Sequence, residues 1–419
     1  MGRLARKLQR AYGLLHGGSV GRVGNVLLNH IERRFRRGRV WSYPTHLDVV
    51  LTKACNLNCV FCISGETVED ARWLPFDLYE RIAGKLFPYA RTLMFCSGGE
   101  PLLYTRIREA LRIARCHGLR TGMVSNGMLL TDEVGRWLVA DGSLAVYMVS
   151  LDGARKETVE RIRRGASFDR IIDNVANLTR IKRDARSVFP RLSLRFAAMR
   201  SNIEELPEIF DLCKAVGIKK VLVNYLNVAN GIDSRESLYF HEDITTQAFH
   251  EAMFRAREAG IQLELPPLPR EGPQARCCSK PWSFCQIDAD GSVRFCYKAW
   301  IQSLGTFDSG FDGIWRGEHY RKIRRSIETD SPYFLYCKYC SERRGLSHEE
   351  SHNQRLHLDA YLIPGLEEYQ TAFNRRQQES RAAFRKRARI QASRRGTTEE
   401  EHPPGPRGSS QAAKDPLLS

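Results

Sequence analysis

The stretch Cys55-Asn56-Leu57-Asn58-Cys59-Val60-Phe61-Cys62 sets three cysteines in eight residues, in the spacing C-x-x-x-C-x-x-C. It follows the apolar run Leu47–Leu51, which reads as a strand. A compact loop at a strand's C-terminal end can aim three thiolates at one point. A structural zinc site closes on four ligands, whereas three ligands leave one metal position open to a reactant. Three cysteines holding zinc or packed in a core remain the alternative at this point.

Outward from that loop, residues 45–228 alternate between β-branched apolar runs and helix-period runs. Strands are expected at Leu47–Leu51, Thr92–Cys96, Arg120–Val124, Ala145–Ser150, Ser193–Met199 and Lys220–Leu226. Helices are expected near Phe76–Leu86, Ile107–His117, Asp132–Ala140, Phe168–Arg183 and Glu204–Val216, with another at Asp243–Ala259. Six β/α units argue for a parallel sheet covered by helices, short of a full eight-fold barrel. Chemistry in such folds sits at the C-terminal ends of the strands.

Polar motifs stand at those ends. Ser97-Gly98-Gly99-Glu100-Pro101 follows the second strand, Ser125-Asn126-Gly127 the third, and Ser150-Leu151-Asp152-Gly153 the fourth. Each alone could be a turn or a helix cap. Arg163 and Arg164 follow the fourth motif, and Arg195 lies inside the fifth strand, where a charge requires a partner. Cys277, Cys278, Cys285, Cys296, Cys337 and Cys340 form a second set, ending in C-x-x-C. Asp290-Gly291 reads as a hairpin turn between them. Cys285 reads as packing, and Cys96, Cys116 and Cys213 read as core.

This order of motifs resembles the radical S-adenosylmethionine (radical SAM) superfamily. The resemblance implies an α/β fold, a partial (β/α)6 TIM-like barrel followed by a small α+β SPASM/twitch Fe–S extension. It implies that Cys55, Cys59 and Cys62 ligate a 4Fe–4S cluster whose fourth iron binds SAM. Phe61 fits the same pattern. Gly98, Gly99 and Glu100 match the superfamily's GGEP turn, which receives the methionine ammonium. Ser125 and Asn126 match a "TNG" position, and Ser150 and Asp152 an "S-x-D-G" position near the SAM ribose or the substrate. One of the arginines, Arg195 in preference, would pair with the SAM carboxylate. Residues 277–345 resemble the SPASM/twitch extension. Cys278, Cys296, Cys337 and Cys340 are its implied ligands for one auxiliary 4Fe–4S cluster, with Cys277 a competitor for Cys278 and zinc the rival metal. The implied reaction is reductive cleavage of SAM to a 5′-deoxyadenosyl radical, which takes a hydrogen atom from a substrate carbon. The electron comes from a low-potential donor such as flavodoxin or ferredoxin. The substrate expected is a small biosynthetic metabolite, a sugar, aminocyclitol or nucleoside, which the enzyme oxidises or rearranges. The alternatives are a SPASM-type peptide or protein maturase and, outside enzymes, a zinc-binding interaction protein.

Composition bounds these readings. The 419 residues suffice for two or three domains. The division expected is a basic helical segment over 1–44, the barrel over 45–265 and the Fe–S region over 266–345. A basic helical segment over 346–395 and a polar tail over 396–419 complete it. The net charge of +17 is carried by the ends: residues 1–40 hold +9 and residues 41–350 only +4. A nucleic-acid enzyme would carry its basic stripe across the working domain. The basic N-terminal helix, with Leu4, Leu8 and Leu15 on one side, is compatible with peripheral membrane contact. Twelve cysteines without a secretory signal favour a reducing, cytoplasmic setting.

Overall fold

The computed structural model describes residues 20–62, 71–226, 234–266, 268, 278–297, 303–329, 331–334, 337 and 340. All belong to one compact unit, Met1–Thr371. Residues 1–19, 267, 269–276, Cys277, and the segments expected over 346–395 and 396–419 lie outside the described residues.

Strands β1 (His46–Val49), β3 (Thr92–Phe95), β4 (Arg120–Ser125), β5 (Val146–Ser150), β7 (Arg191–Ala198) and β8 (Lys220–Tyr225) are the six expected from the sequence. Between and after them run α2 (Phe76–Leu86), α3 (Ile107–Cys116), α4 (Asp132–Asp141), α5 (Lys156–Ile162), α6 (Phe168–Asp184), α7 (Ile209–Val216) and α8 (Glu242–Glu258), preceded by α1 (Val20–Arg34). Each barrel helix turns one apolar stripe to the sheet. In α3 that stripe is Ile107, Ala110, Leu111 and Ala114, the i, i+3, i+4, i+7 pattern that places four side chains on one face. Strand residues alternate to match. Leu192, Leu194 and Phe196 of β7 pack under the helices, which turns Ser193, Arg195 and Ala197 into the barrel lumen.

The sheet is longer than six strands. Its order is β11-β10-β1-β3-β4-β5-β7-β8-β9, where β9 is Gln262–Glu264, β10 Phe284–Ile287 and β11 Val293–Arg294. All neighbours are parallel except the β10–β11 hairpin. The cysteine-rich region is therefore not a separate appendage. Its first strand, β10, pairs with β1 in the register His46↔Phe284 to Val49↔Ile287. The short helices α9 (Lys280–Ser283), α10 (Phe311–Trp315) and α11 (Glu318–Ser326) pack around that extension. The hairpin turns at Asp290-Gly291 as expected. A bond between residues more than two hundred positions apart leaves no trace in local periodicity, so the shared sheet could not be read from the sequence.

Helix α1 closes the N-terminal end of the sheet with a polar face. Arg22 donates to the carbonyls of Phe87, His117 and Gly118, where α2 and α3 end. Those carbonyls form the negative ends of two helix dipoles, which suits a guanidinium. Asn25 donates to Tyr43 O and Tyr89 O at 3.1 and 3.0 Å, ahead of β1 and β3. Asn29 donates to Trp282 O ahead of β10, and Glu32 accepts from Ser42 and the Trp41 N–H.

Candidate active site

The three-cysteine loop leaves β1 at the C-terminal end of the sheet and is pinned at its base. Lys53 N–H donates to Arg72 O and Leu74 N–H to Leu51 O, both at 2.9 Å, so the chain returns alongside its own entry. A two-residue ladder joins β2 (Asn58–Cys59) to β6 (Arg163–Arg164), pairing Cys59 with Arg163. The turn after β3 holds the other side. Gly99 N–H donates to Thr52 O at 2.9 Å and Glu100 N–H to Ala54 O at 2.7 Å. Gly98 sits at φ +114°, and a Cβ on Gly99 would lie 1.8 Å from Ala54 O. The two glycines are what lets this turn lie against the cysteine loop.

Glu100 is buried, and its carboxylate accepts the Asn126 N–H at 2.8 Å and the Leu102 N–H at 3.1 Å. Burial pushes this carboxyl upward, and those backbone donors oppose the shift. It ties the turn after β3 to the one after β4. Asn126 then reaches the cysteines: its amide donates to Asn56 Oδ1 at 2.8 Å and to Cys55 Sγ at 3.9 Å. Ser125 is buried and accepts the Gly127 N–H at 3.1 Å.

Asp152 is fully buried. Its Oδ1 accepts the Ala197 N–H at 2.8 Å, and Arg163 Nη2 lies 2.6 Å from Oδ2. Burial raises the carboxyl, and the Arg163 charge works against it. The same guanidinium donates to Cys59 Sγ at 3.9 Å and lies over the Phe61 ring at 5.7 Å. Phe61 itself packs on Ile162, Met199 and Leu226 above the strand ends. Of the three arginines named from sequence, Arg163 is the one whose guanidinium reaches a cysteine, while Arg164, opposite Asn58, is exposed. Arg195, the favoured one, lies in register with Ser150 across the β5–β7 pair. It is half-buried in the lumen, and its charge is felt by Cys96 and Asp152.

Among the described residues no three Cys, His, Asp or Glu side chains close on one ion-sized point. The fit of a cluster rests on the polar groups around the thiols. Burial lifts the Cys55 thiol to about 11 and the Cys59 thiol to about 12, costs that a bound metal cation offsets. Cys55 Sγ already accepts the Leu57 N–H at 3.5 Å. Cys62 lies within the electrostatic reach of both. In donor chemistry the residues fit a cluster: three thiols, with hydrogen-bond donors aimed at two of the sulfurs.

The second set also gathers. Cys278 is half-buried, and Cys296, Cys337 and Cys340 are buried. Burial lifts Cys278 to about 12, and Cys296 and Cys340 add to that shift from nearby. Phe295 and Phe334 stack at 5.1 Å, which brings the chain before Cys296 against the chain before Cys337. Cys285 is buried on β10, as its reading as packing required. Cys213 is core, but Cys116 is exposed. Cys96 faces the lumen beside Ser97 and Asp48 instead of entering the apolar core. Residues 96 and 116 fall one place past β3 and at the last position of α3, where an apolar period no longer fixes the face.

Sequence reasoning passed over two further groups. Asp48, fully buried inside β1, accepts from Gln286 Nε2 at 3.0 Å and from Ser97 Oγ. Lys53, two residues before Cys55, reaches Asp288 Oδ1 at 2.9 Å, and Arg294 reaches the other oxygen. A lone acid within an apolar strand run was the available signal for Asp48.

The model of the radical SAM superfamily matches residues 49–213, and that of SPASM, an iron–sulfur cluster-binding domain, matches residues 277–341. The mycofactocin maturase MftC of Mycobacterium tuberculosis is 26% identical over 301 residues, covering 70% of this chain and 75% of the relative. The AdoMet-dependent heme synthase of Methanosarcina barkeri is 26% identical over 298 residues, covering 65% and 83%. Streptococcus suis SuiB bound to S-adenosylmethionine shares the fold with a TM-score of 0.59 at 17% identity, covering 75% of this chain and 74% of that one. The two matched regions fall in the same order as the two cysteine sets, on the barrel and on the extension of its sheet. The chain belongs to the radical SAM superfamily and carries a C-terminal SPASM domain.

Proposed function

We propose that this protein is a radical SAM maturase acting on a peptide or protein, in place of the small metabolite expected from the sequence. The supporting observation is the 26% identity to a maturase over 301 residues, 70% of this chain. The fold is also that of SuiB, which has been captured with its precursor peptide. Leu222 and Asn224 share the inward face with Arg195, and they are half-buried and exposed.

When bound, the 4Fe–4S cluster and SAM supply one-electron cleavage of a sulfonium C–S bond and, from it, hydrogen-atom abstraction. The chain's own residues prepare that chemistry. Cys55, Cys59 and Cys62 hold the cluster, and the Leu57 N–H, the Asn126 amide and Arg163 stabilise negative charge on its sulfurs. Gly98 and Gly99 present backbone to the SAM ammonium, while Glu100 fixes the turn that does so. Phe61, Ser125, Ser150 and Asp152 stand at the strand ends. Arg195 offers a guanidinium to a carboxylate, of SAM or of the substrate. Cys278, Cys296, Cys337 and Cys340 would hold one auxiliary 4Fe–4S cluster, which would supply one-electron redox capacity beside the barrel, and a low-potential flavodoxin or ferredoxin would be the external donor.

Anaerobically reconstituted protein should carry about eight iron atoms, falling to about four when Cys55, Cys59 and Cys62 are all alanine. That variant should form no 5′-deoxyadenosine from SAM and dithionite, and persistence of the product contradicts the assignment. Arg163→Lys keeps the charge but loses the planar fork. It is expected to lower kcat/KM for SAM cleavage about ten-fold, roughly 1.4 kcal/mol. Co-expression with candidate short peptides of the source genome, read by intact mass, tests the substrate class. A metabolite that delivers deuterium into 5′-deoxyadenosine, with no peptide changed in mass, would overturn the maturase reading.

A further inference from the structure

We propose that the outward face of helix α1 docks this protein on an anionic membrane surface, with the catalytic mouth turned toward water. The inference is independent of the substrate.

Helix α1 is inside out. Its buried side chains are Arg22, Asn25, Asn29 and Glu32, at 6%, 7%, 4% and 1% exposure. They recur at i, i+3, i+7 and i+10, one face of a helix, and all are bound to the chain beneath the sheet. The opposite face carries Leu27, Ile31 and, one turn on, Phe35, at 60%, 47% and 68% exposure, with Trp41 beyond at 65%. Nothing lies within 4 Å of where a Cβ on Gly24 would point on that same face. Four of the ten large apolar side chains exposed among the described residues thus fall within residues 27–41. Scattered single exposures need no explanation, but a continuous stripe does.

Charge selects the occupant. Arg34, Arg36, Arg37 and Arg39 are exposed beside the stripe, and of these only Arg36 forms an ion pair among the described residues, with Glu328. Glu32 is the one acid in residues 1–40, and it is turned inward. A second copy of this chain would press one +9 segment against another, and like charges facing across an interface are repelled. Residues 1–19 bring four further cations and no acid. An apolar stripe rimmed by guanidiniums, with a Trp at its margin, fits acyl chains below and lipid phosphates at the rim. Among the described residues no helix is long and apolar enough to cross a membrane, so the contact is peripheral.

Orientation follows from the fold. The polar face of α1 meets the chain where β1, β3, β4 and β10 begin, while Cys55, Glu100, Asn126 and Asp152 stand where strands end. A bilayer under α1 lies at the opposite end of the barrel from the cysteine loop. The protein then works on a partner arriving from the aqueous phase.

The test is sedimentation of the full-length reconstituted protein with vesicles of phosphatidylcholine, alone or with about a third phosphatidylglycerol. The wild type is expected to bind the anionic vesicles and to be released by salt. The double variant Ile31→Glu/Phe35→Glu should lose at least about ten-fold in binding. Arg34→Gln/Arg39→Gln should lose about five-fold per charge on the anionic vesicles and show a shallower salt dependence. All these side chains are exposed, so iron content, melting temperature and 5′-deoxyadenosine formation should stay at wild-type values. Val188→Glu, an exposed apolar site elsewhere, should bind as the wild type does. Equal wild-type binding to neutral vesicles, no vesicle binding, or full binding by the Ile31/Phe35 variant overturns the proposal. So does a wild-type dimer that the same variant converts to monomer without any vesicle binding.

Discussion

Gly99→Ala is expected to leave a folded protein with about half its iron and no SAM cleavage. The ideal Cβ would sit 1.8 Å from Ala54 O, 2.5 Å from Ala54 C and 2.6 Å from Lys53 C. These are backbone atoms, so no side chain can rotate to make room. Neither side can retreat cheaply. Ala54 O and Thr52 O accept the N–H groups of Glu100 and Gly99, and Lys53 and Leu51 are bonded to the returning strand at Arg72 and Leu74. The relief available is a shift of the loop at Ala54, directly before Cys55, which displaces the three-cysteine loop from the turn after β3. The second cysteine set has its own supports and should keep its iron. Gly84→Ala on α2 is the matched control. Nothing lies within 4 Å of its would-be Cβ, so that change should stabilise by up to about 1 kcal/mol through helix propensity. Iron per chain, the sulfur-to-iron absorption band and 5′-deoxyadenosine yield read the difference. Full iron and full activity in Gly99→Ala would show that the turn does not press on the loop.

What the sequence disclosed and what it hid divide along a physical line. The six strands and most of their helices were legible because each is fixed by its own period: two residues for Leu192, Leu194 and Phe196, and three or four for Ile107, Ala110, Leu111 and Ala114. The cysteine loop was legible because thiol spacing within one turn is local geometry. Pairing across the chain was not. The β1–β10 bond and the Lys53–Asp288 contact join residues separated by well over two hundred positions. The place of Arg163 was hidden for the same reason: it reaches Cys59 through a two-residue ladder that no window of sequence displays. Helix α1 is a third case. The stripe read from sequence, Leu4, Leu8 and Leu15, lies outside the described residues, and in Val20–Arg34 Asn25, Asn29 and Glu32 took the protein side by meeting unpaired backbone groups.

Asp288→Asn is expected to cost about 3–5 kcal/mol, because it removes one partner from a buried ionic group and leaves two cations facing each other. Asp288 is fully buried between Lys53, on the loop before Cys55, and Arg294, on the last strand of the SPASM hairpin. Burial alone would raise its carboxyl. Lys53 and then Arg294 outweigh that and hold it well below the usual carboxylate range, helped by the Ala289 N–H at 2.8 Å. The sign of the pH dependence follows. A folded-state pKa below the unfolded one gives stability that is complete above the unfolded value, near 4, and is lost as pH falls through the lower folded value. Denaturation curves of wild type and variant should therefore stay separated by a constant amount from neutrality down to about pH 4 and converge only below it. Lys53→Met should cost less than Asp288→Asn, since Arg294 still compensates the carboxylate. The double variant Lys53→Met/Asp288→Asn should cost clearly less than the sum, the coupling expected of groups in contact. Additive losses would mean that Lys53 and Asp288 do not interact. Because Lys53 stands two residues from Cys55, Asp288→Asn should also speed oxygen-driven loss of the first cluster. One carboxylate on the SPASM hairpin would then set how firmly the barrel holds its three-cysteine loop.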